Sequence, residues 1–228
     1  MNITAFLPCR KGSQRVPKKN IKPFADYKYG LLEIKLTQLH NTKKINRIII
    51  STDDNEIIKF SENFGSSKII LHKRDSHLAS NECSTDMLIA HAASLVPEGD
   101  ILWTHVTSPF LNSQIYNNII EKYYEILQIG YDSLMTVNTL KSFLWNDKGP
   151  INYDREVEKW PRTQTLKPIF EINSGAFMAN KNTYLKTNDR IGVKSFMYKL
   201  NKLQGFDIDD KDDFEIAENI QKLLQKKT

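Results

Sequence analysis

The chain has 228 residues, 40% of them hydrophobic and 26% charged, with a formal net charge of +5 at pH 7 and a pI near 9.0. That is the make-up of a globular domain able to bury its own core, and it excludes a disordered or fibrous chain. The apolar runs fall far short of the roughly 20 residues of a membrane span, the first of them does not read as a secretory signal, and two cysteines make no disulfide framework, so the expectation is a cytoplasmic protein.

Short apolar strands alternate with amphipathic helices along the first two thirds of the chain. Ile3 to Pro8 reads as a strand, Leu31 to His40 as a helix, and the β-branched run from Arg47 to Ser51 as a buried strand. A helix from Asn55 to Phe64 stops at Gly65, and Lys68 to Leu71 is a short strand. Ser84 to Val96 is helical, Asp100 to His105 extended, Ser113 to Ile129 helical up to Gly130, and Ser133 to Asn138 extended. This rhythm predicts a Rossmann-like α/β fold, with a mostly parallel sheet, helices on both faces and ligand-binding loops along one sheet edge. From about 140 to 172 the periodicity fails among tryptophans and prolines, which predicts an arm inserted into a single domain spanning 1–228. Strands resume at Ser174 to Ala179 and Lys194 to Leu200, and a last helix covers Asp212 to Gln225, with Asp212 and Glu215 as its capping box.

Charge is unevenly spread. No acid precedes Asp26, while Arg10, Lys11, Arg15, Lys18, Lys19 and Lys22 crowd the loop after the first strand. That loop is neither a Walker A loop nor a dinucleotide fingerprint, yet Gly12 and Ser13 can turn the chain and offer backbone N–H groups, and Arg10 and Lys19 can neutralise phosphate oxygens. Near the other end, Asp207 and Asp209 stand two apart at the end of an apparent short strand, which puts both carboxylates on one face. Two such groups suit a magnesium ion that completes its shell with water and phosphate. The reading therefore requires the basic loop and the acidic pair to face each other across one cleft.

The run Pro8-Cys9-Arg10-Lys11-Gly12-Ser13-Gln14-Arg15-Val16-Pro17-Lys18-Lys19-Asn20 resembles the signature of the CMP-sugar synthetases, the acylneuraminate cytidylyltransferase family. Further matches follow in the family's order: Ser51-Thr52-Asp53, Arg74 with Leu78-Ala79-Ser80, Thr107-Ser108-Pro109, Pro161-Arg162, Asn173 to Phe177, and Asp207-Ile208-Asp209. The resemblance implies transfer of CMP from CTP to an acidic sugar with release of pyrophosphate, for surface glycan synthesis, with Mg2+ as cofactor. By the same resemblance Arg10, Lys19 and Asp209 are catalytic, and Pro8, Gly12, Ser13, Asn20, Arg74, Ala79 and Thr85 contact the nucleotide. His105, Thr107, Ser108, Arg162, Glu171 and Asn173 would meet the acceptor, and Asp207 and Asp209 would bind the metal. It also implies a homodimer formed through the arm, with CTP and the sugar as ligands and no nucleic acid or membrane partner.

The acceptor half departs from the family pattern. His105 stands where sialic-acid synthetases carry Gln, Leu111 where they carry Arg, and Glu171-Ile172 where many carry Arg-Pro. A site built for one set of sugar donors and acceptors rejects another. The departures imply an acceptor other than ordinary N-acetylneuraminate, such as a legionaminic- or pseudaminic-type acid. The alternatives are a nucleotidyltransferase for a Kdo-like acid, phosphonate or sugar phosphate, a non-catalytic nucleotide-binding relative, and a nucleic-acid-binding module.

Overall fold

The computed structural model of the chain describes residues 1–80 and 82–226. Nine strands and seven helices follow one another among these residues. β1 (Ile3–Pro8) leads through the basic loop to α1 (Gly30–Asn41), then β2 (Arg47–Thr52), α2 (Asn55–Asn63), β3 (Ile69–Lys73), a four-residue α3 (Ser76–Ala79) and α4 (Thr85–Leu95). Next come β4 (Asp100–Trp103), α5 (Ser113–Leu127), β5 (Ser133–Leu140), and a minute hairpin of β6 (Trp145–Asn146) and β7 (Gly149–Pro150). β8 (Ile169–Asn180), α6 (Lys181–Thr187), β9 (Ser195–Leu200) and α7 (Lys211–Gln225) complete the order.

Seven strands form one sheet in the order β3-β2-β1-β4-β8-β5-β9. Every pairing is parallel except the two made by β8. The register sets Pro8 beside Ser51 and Phe6 beside Trp103, so β1, β2 and β4 end at one edge of the sheet. The ends of β5 and β9 and the start of β8 meet at the same edge, because Asn138 lies opposite both Glu171 and Leu200. β1, β2 and β4 are buried over nearly their whole length, and helices cover both faces. Leu31, Leu32 and Leu39 of α1, Tyr116 and Ile120 of α5 and Phe214 of α7 pack on one side. Ile89 and Ala92 of α4 and Tyr184 of α6 pack on the other. The predicted mostly parallel sheet with helices on both faces is the architecture observed.

Several details differ from the sequence reading. β8 begins at Ile169, five residues before the predicted start, because Ile169 to Ile172 pair with Val137 to Leu140. α6, polar and only seven residues long, has too little apolar periodicity to be read; Asn180 caps it through a bond from Asn182 N (3.0 Å). The capping box of α7 is made by Asp210 and Asp213, not by Asp212 and Glu215. Asp207 to Asp209 lie in extended chain outside the sheet, tied to the loop after β4 by Ile208 N donating to Thr107 O (2.9 Å). Ile208 is fully buried, Asp207 is half-buried and Asp209 is exposed.

Candidate active site

The basic loop is held in shape by backbone and side-chain bonds to the sheet edge. Cys9 N donates to Ser51 O (2.9 Å), Lys11 N to Asp53 Oδ1 (2.8 Å), and Asn20 Nδ2 to Arg10 O (2.9 Å). The loop thus curls back over the ends of β1 and β2, and Arg10 reaches Ser80 O through Nη1 (3.4 Å). Cys9 itself is buried, and desolvation pushes its thiol up to about 12, which makes it a packing group rather than a nucleophile.

The loop and the acidic pair meet. Lys19 Nζ donates to Ile208 O (2.7 Å), between Asp207 and Asp209, and the Arg15 guanidinium lies 3.3 Å from Asp209 Oδ1. Partial burial draws the Lys19 amine below its usual range, and Asp209 and Asp207 oppose that shift. A cavity of about 260 Å3 opens here, lined by Pro8, Arg10, Ser13, Lys19, Asn20 and Asp209 and closed by His105 and Thr107. A second cavity of about 740 Å3 adjoins it through Asp209 and is lined by Asn138, Glu171, Asn173, Gly205 and Asp207. Arg74 and Ala79 line a third cavity, of about 590 Å3, with Lys11 and Asp53. Arg74 is buried there and donates to Ser51 O (2.6 Å) and Ser51 Oγ (3.1 Å).

Four predicted residues stand elsewhere. Ser108 is buried behind the loop, and its carbonyl faces Lys35 rather than a cavity. Gly12 is exposed and Thr85 opens α4, neither of them in a cavity wall described above. Arg162 is exposed on the arm.

The second cavity owes its shape to an irregularity in β8. Pairing jumps from Met135–Phe177 to Val137–Ile172, so three extra residues of β8 bulge opposite Thr136. Thr136 Oγ1 donates to Asn173 Oδ1 (2.6 Å) and accepts from Ala176 N (2.8 Å). A Cβ at 175 would press on Asn173 Oδ1, Leu111 Cδ1 and Thr136 Oγ1, each at 2.9 Å, so a larger residue there would displace the side chains that shape the bulge. Asn138 links the wall together, giving Nδ2 to Glu171 Oε2 (3.0 Å) and accepting at Oδ1 from Asn173 Nδ2 (2.9 Å). The sequence reading missed Asn138, which lies at a strand end where a polar residue reads as a turn signal.

His105 occupies the junction of the acceptor loop and the first cavity. Its Nε2 accepts from Trp103 Nε1 (2.7 Å), and burial, with Arg190, Lys35 and Lys19 nearby, pulls the imidazole down to about 4 against the pull of Asp207. Asp207 keeps Oδ1 buried with no hydrogen-bond partner. A buried carboxylate oxygen left open beside a second carboxylate fits a hard cation, and magnesium needs no more than one or two protein carboxylates. Among the described residues no group of three or more His, Cys, Asp or Glu side chains is gathered as a metal cage.

A basic loop facing two carboxylates at the strand-end edge of a mostly parallel sheet is the arrangement that a nucleotidyltransferase calls for. The family model described as cytidylyltransferase matches residues 4–227, and the chain belongs to that family, the one whose CMP-sugar synthetase signature it carries. It is 28% identical to N-acylneuraminate cytidylyltransferase of Escherichia coli O18:K1:H7, a match covering 96% of this chain and 52% of that protein. It is 22% identical to pseudaminic acid cytidylyltransferase of Campylobacter jejuni, covering 98% of this chain and 97% of the relative. The chain therefore spans about half the length of the first relative and nearly all of the second. In fold it resembles CMP:2-keto-3-deoxy-manno-octonic acid synthetase complexed with CTP, at a TM-score of 0.68 and 14% identity over 99% of this chain and 100% of the other. It also resembles 4-diphosphocytidyl-2C-methyl-D-erythritol synthase from Anaerococcus prevotii, at a TM-score of 0.65 and 17% identity over 96% of each chain. No helix among the described residues is long and apolar enough to cross a membrane.

Proposed function

We propose that this chain is a CTP-dependent cytidylyltransferase that moves CMP onto an acidic sugar of the nonulosonic type and releases pyrophosphate. The observation that carries the reading is the meeting of Lys19 with the Asp207–Asp209 segment, at 2.7 Å, in a cavity that Arg10 also lines. A hydroxyl of the sugar attacks the α-phosphorus, the bond to the β-phosphate oxygen breaks, and pyrophosphate leaves in line. Arg10 and Lys19 neutralise the charge that gathers on the departing pyrophosphate, and Gly12 and Ser13 turn the loop so that Ser13 and Asn20 line the cavity that receives CTP. Arg74, Ala79 and Thr85 serve the nucleotide beyond the phosphates. Asp207 and Asp209 hold magnesium, which when bound neutralises phosphate oxygens and acidifies the acceptor hydroxyl.

The acceptor enters the second cavity, between the loop after β4 and the β8 bulge. Glu171 and Asn173 line it, His105 and Thr107 face it from the adjoining cavity, Ser108 backs the loop from behind, and Arg162 would reach it only by way of the arm. The product is an activated sugar for surface glycans, made in the cytoplasm by a homodimer joined through the arm.

Pyrophosphate release tests the reading, measured with CTP, UTP, ATP and GTP against a panel of N-acylneuraminic, legionaminic-type, pseudaminic-type and Kdo-type acids. CTP and one nonulosonic acid should give turnover that needs magnesium. Asp209→Ala should abolish most of it and leave the melting temperature unchanged, because that carboxylate is largely exposed and its one ion pair lies at the surface. Turnover with UTP and a sugar 1-phosphate in place of CTP, or near-normal rates in Asp209→Ala, would reject the assignment.

A further inference from the structure

Lys35 lies in the middle of α1 and is fully buried. Its Nζ donates to Ser108 O (2.8 Å) and to the Tyr116 hydroxyl (2.6 Å), and it sits 4.9 Å from the centre of the Tyr116 ring. None of the ion pairs among the described residues includes it. Two acceptors suit the two N–H bonds of a neutral amine better than the three of an ammonium. Burial accordingly pushes the amine down to about 7, with Asp207 opposing the shift. A lysine is a costly filler at a position that leucine or methionine would occupy without desolvation.

What Lys35 holds explains its presence. Having accepted from Lys35, the Tyr116 hydroxyl donates to Thr104 Oγ1 (2.8 Å), and Thr104 donates onward to Gly175 O (2.7 Å). Lys35, Tyr116 and Thr104 are all fully buried, so the relay runs through the interior with a single direction of donation. It ends on the β8 bulge that carries Asn173. The other branch holds Ser108, whose neighbour Thr107 accepts from Ile208 N (2.9 Å) between the two acids. The basic loop is tied down by other bonds, to Ser51 and Asp53.

We propose that Lys35 is a positioning residue for the acceptor half of the site: by holding Ser108 directly and Gly175 through Tyr116 and Thr104, it sets the loop that bears His105 and Thr107 against the bulge that bears Asn173. The inference rests on the cytidylyltransferase reading above for what the site binds, but the positioning itself can be read without turnover. Lys35→Met keeps the length of the side chain, and Tyr116→Phe keeps the ring while removing the relay hydroxyl. Both should raise the KM for the acceptor about tenfold or more and leave the KM for CTP within about twofold. Amide hydrogen exchange should quicken in residues 104–110 and 173–176 and stay unchanged in residues 9–22, whether or not an acceptor has been found. Should Lys35→Met fail to fold, Tyr116→Phe carries the test alone. An unchanged acceptor KM in Tyr116→Phe beside an active parent chain overturns the proposal, as does exchange that quickens evenly across the molecule or not at all. A parent chain that turns over no acceptor, with the local exchange pattern present, instead rejects the functional reading and keeps the positioning role.

Discussion

An indole N–H can only donate, so the 2.7 Å contact from Trp103 Nε1 leaves His105 Nε2 unprotonated and puts the ring's proton on Nδ1. The imidazole is thereby a donor of one fixed tautomer, suited to an oxygen of the acceptor and unsuited to act as a general base through Nε2. Its folded pKa lies near 4, below the ordinary 6.5. The sign follows: between those values the unfolded chain binds the proton and the folded chain does not, so this histidine's share of stability is present above pH 6.5 and is lost as the pH falls towards 4. Trp103→Phe removes the donor but leaves in place the burial that chiefly lowers the pKa, so the ring proton should spread over both nitrogens while the group still titrates below 6.5. NMR of the ring nitrogens checks this, and a tautomer ratio identical to that of the parent chain would refute the lock. The basic loop and the acidic segment that meets it were legible from sequence because each is a cluster of like charge. Lys35 was not, although Leu31, Lys35 and Leu39 share one helical face at i, i+4 and i+8 and so placed a lysine in the buried stripe.

At the scale of elements, the helix-strand order was readable because local periodicity records which face is buried. The start of β8 was not, because Ile169 to Ile172 gain their partners from β5, about thirty residues earlier in the chain. Glu171 and Ile172 are exposed there, which breaks the alternation a strand reading needs. The cap of α7 was misplaced by two residues for a related reason: a run of four acids among residues 209–213 offers several capping boxes, and only the loop geometry chooses among them. Asp210 Oδ1 accepts from Asp213 N (3.0 Å), and Asp213 Oδ2 accepts from Asp210 N (3.2 Å) and from Asp209 N (2.9 Å). Asp213, the third helical residue, therefore both completes the cap made by Asp210 and steadies the backbone at Asp209 and Asp210. Asp213→Ala should cost about 1 kcal/mol of stability, the ordinary worth of a cap, and should raise the magnesium concentration needed for half-maximal turnover. Asp212→Ala, at the position first read as the cap, should change neither beyond about 0.5 kcal/mol. Denaturant unfolding of the two variants side by side decides between the two boxes.

At the scale of the whole molecule, the arm between β5 and β8 stands out because it carries only the minute β6–β7 hairpin, which pairs with no strand of the central sheet. Its own order comes from a small cluster. Asn152 is buried and ties the arm together, accepting from Leu144 N (3.2 Å) and donating to Ser142 O (2.9 Å) and Lys167 O (3.1 Å). Phe143 meets Trp160 edge-on at 5.4 Å, and the Arg155 guanidinium lies over Trp145 at 5.3 Å. That scaffold presents apolar side chains outward, with Trp160 67% and Val157 84% exposed and Ile151 and Trp145 half exposed. Aromatic groups with a neighbouring arginine are the composition of interface centres rather than of free surface. The proposed dimer through the arm makes use of them. Sedimentation at micromolar concentration should give twice the chain mass, and Val157→Asp should shift the protein to the monomer without altering its circular dichroism, because a carboxylate at the centre of a contact loses its hydration while in the monomer it stays in water. Trp160→Ala should act in the same direction more weakly, since part of its ring packs on Phe143 within the same chain. A parent chain that sediments as a monomer, or a Val157→Asp variant that remains dimeric, would leave the arm's apolar face without this role.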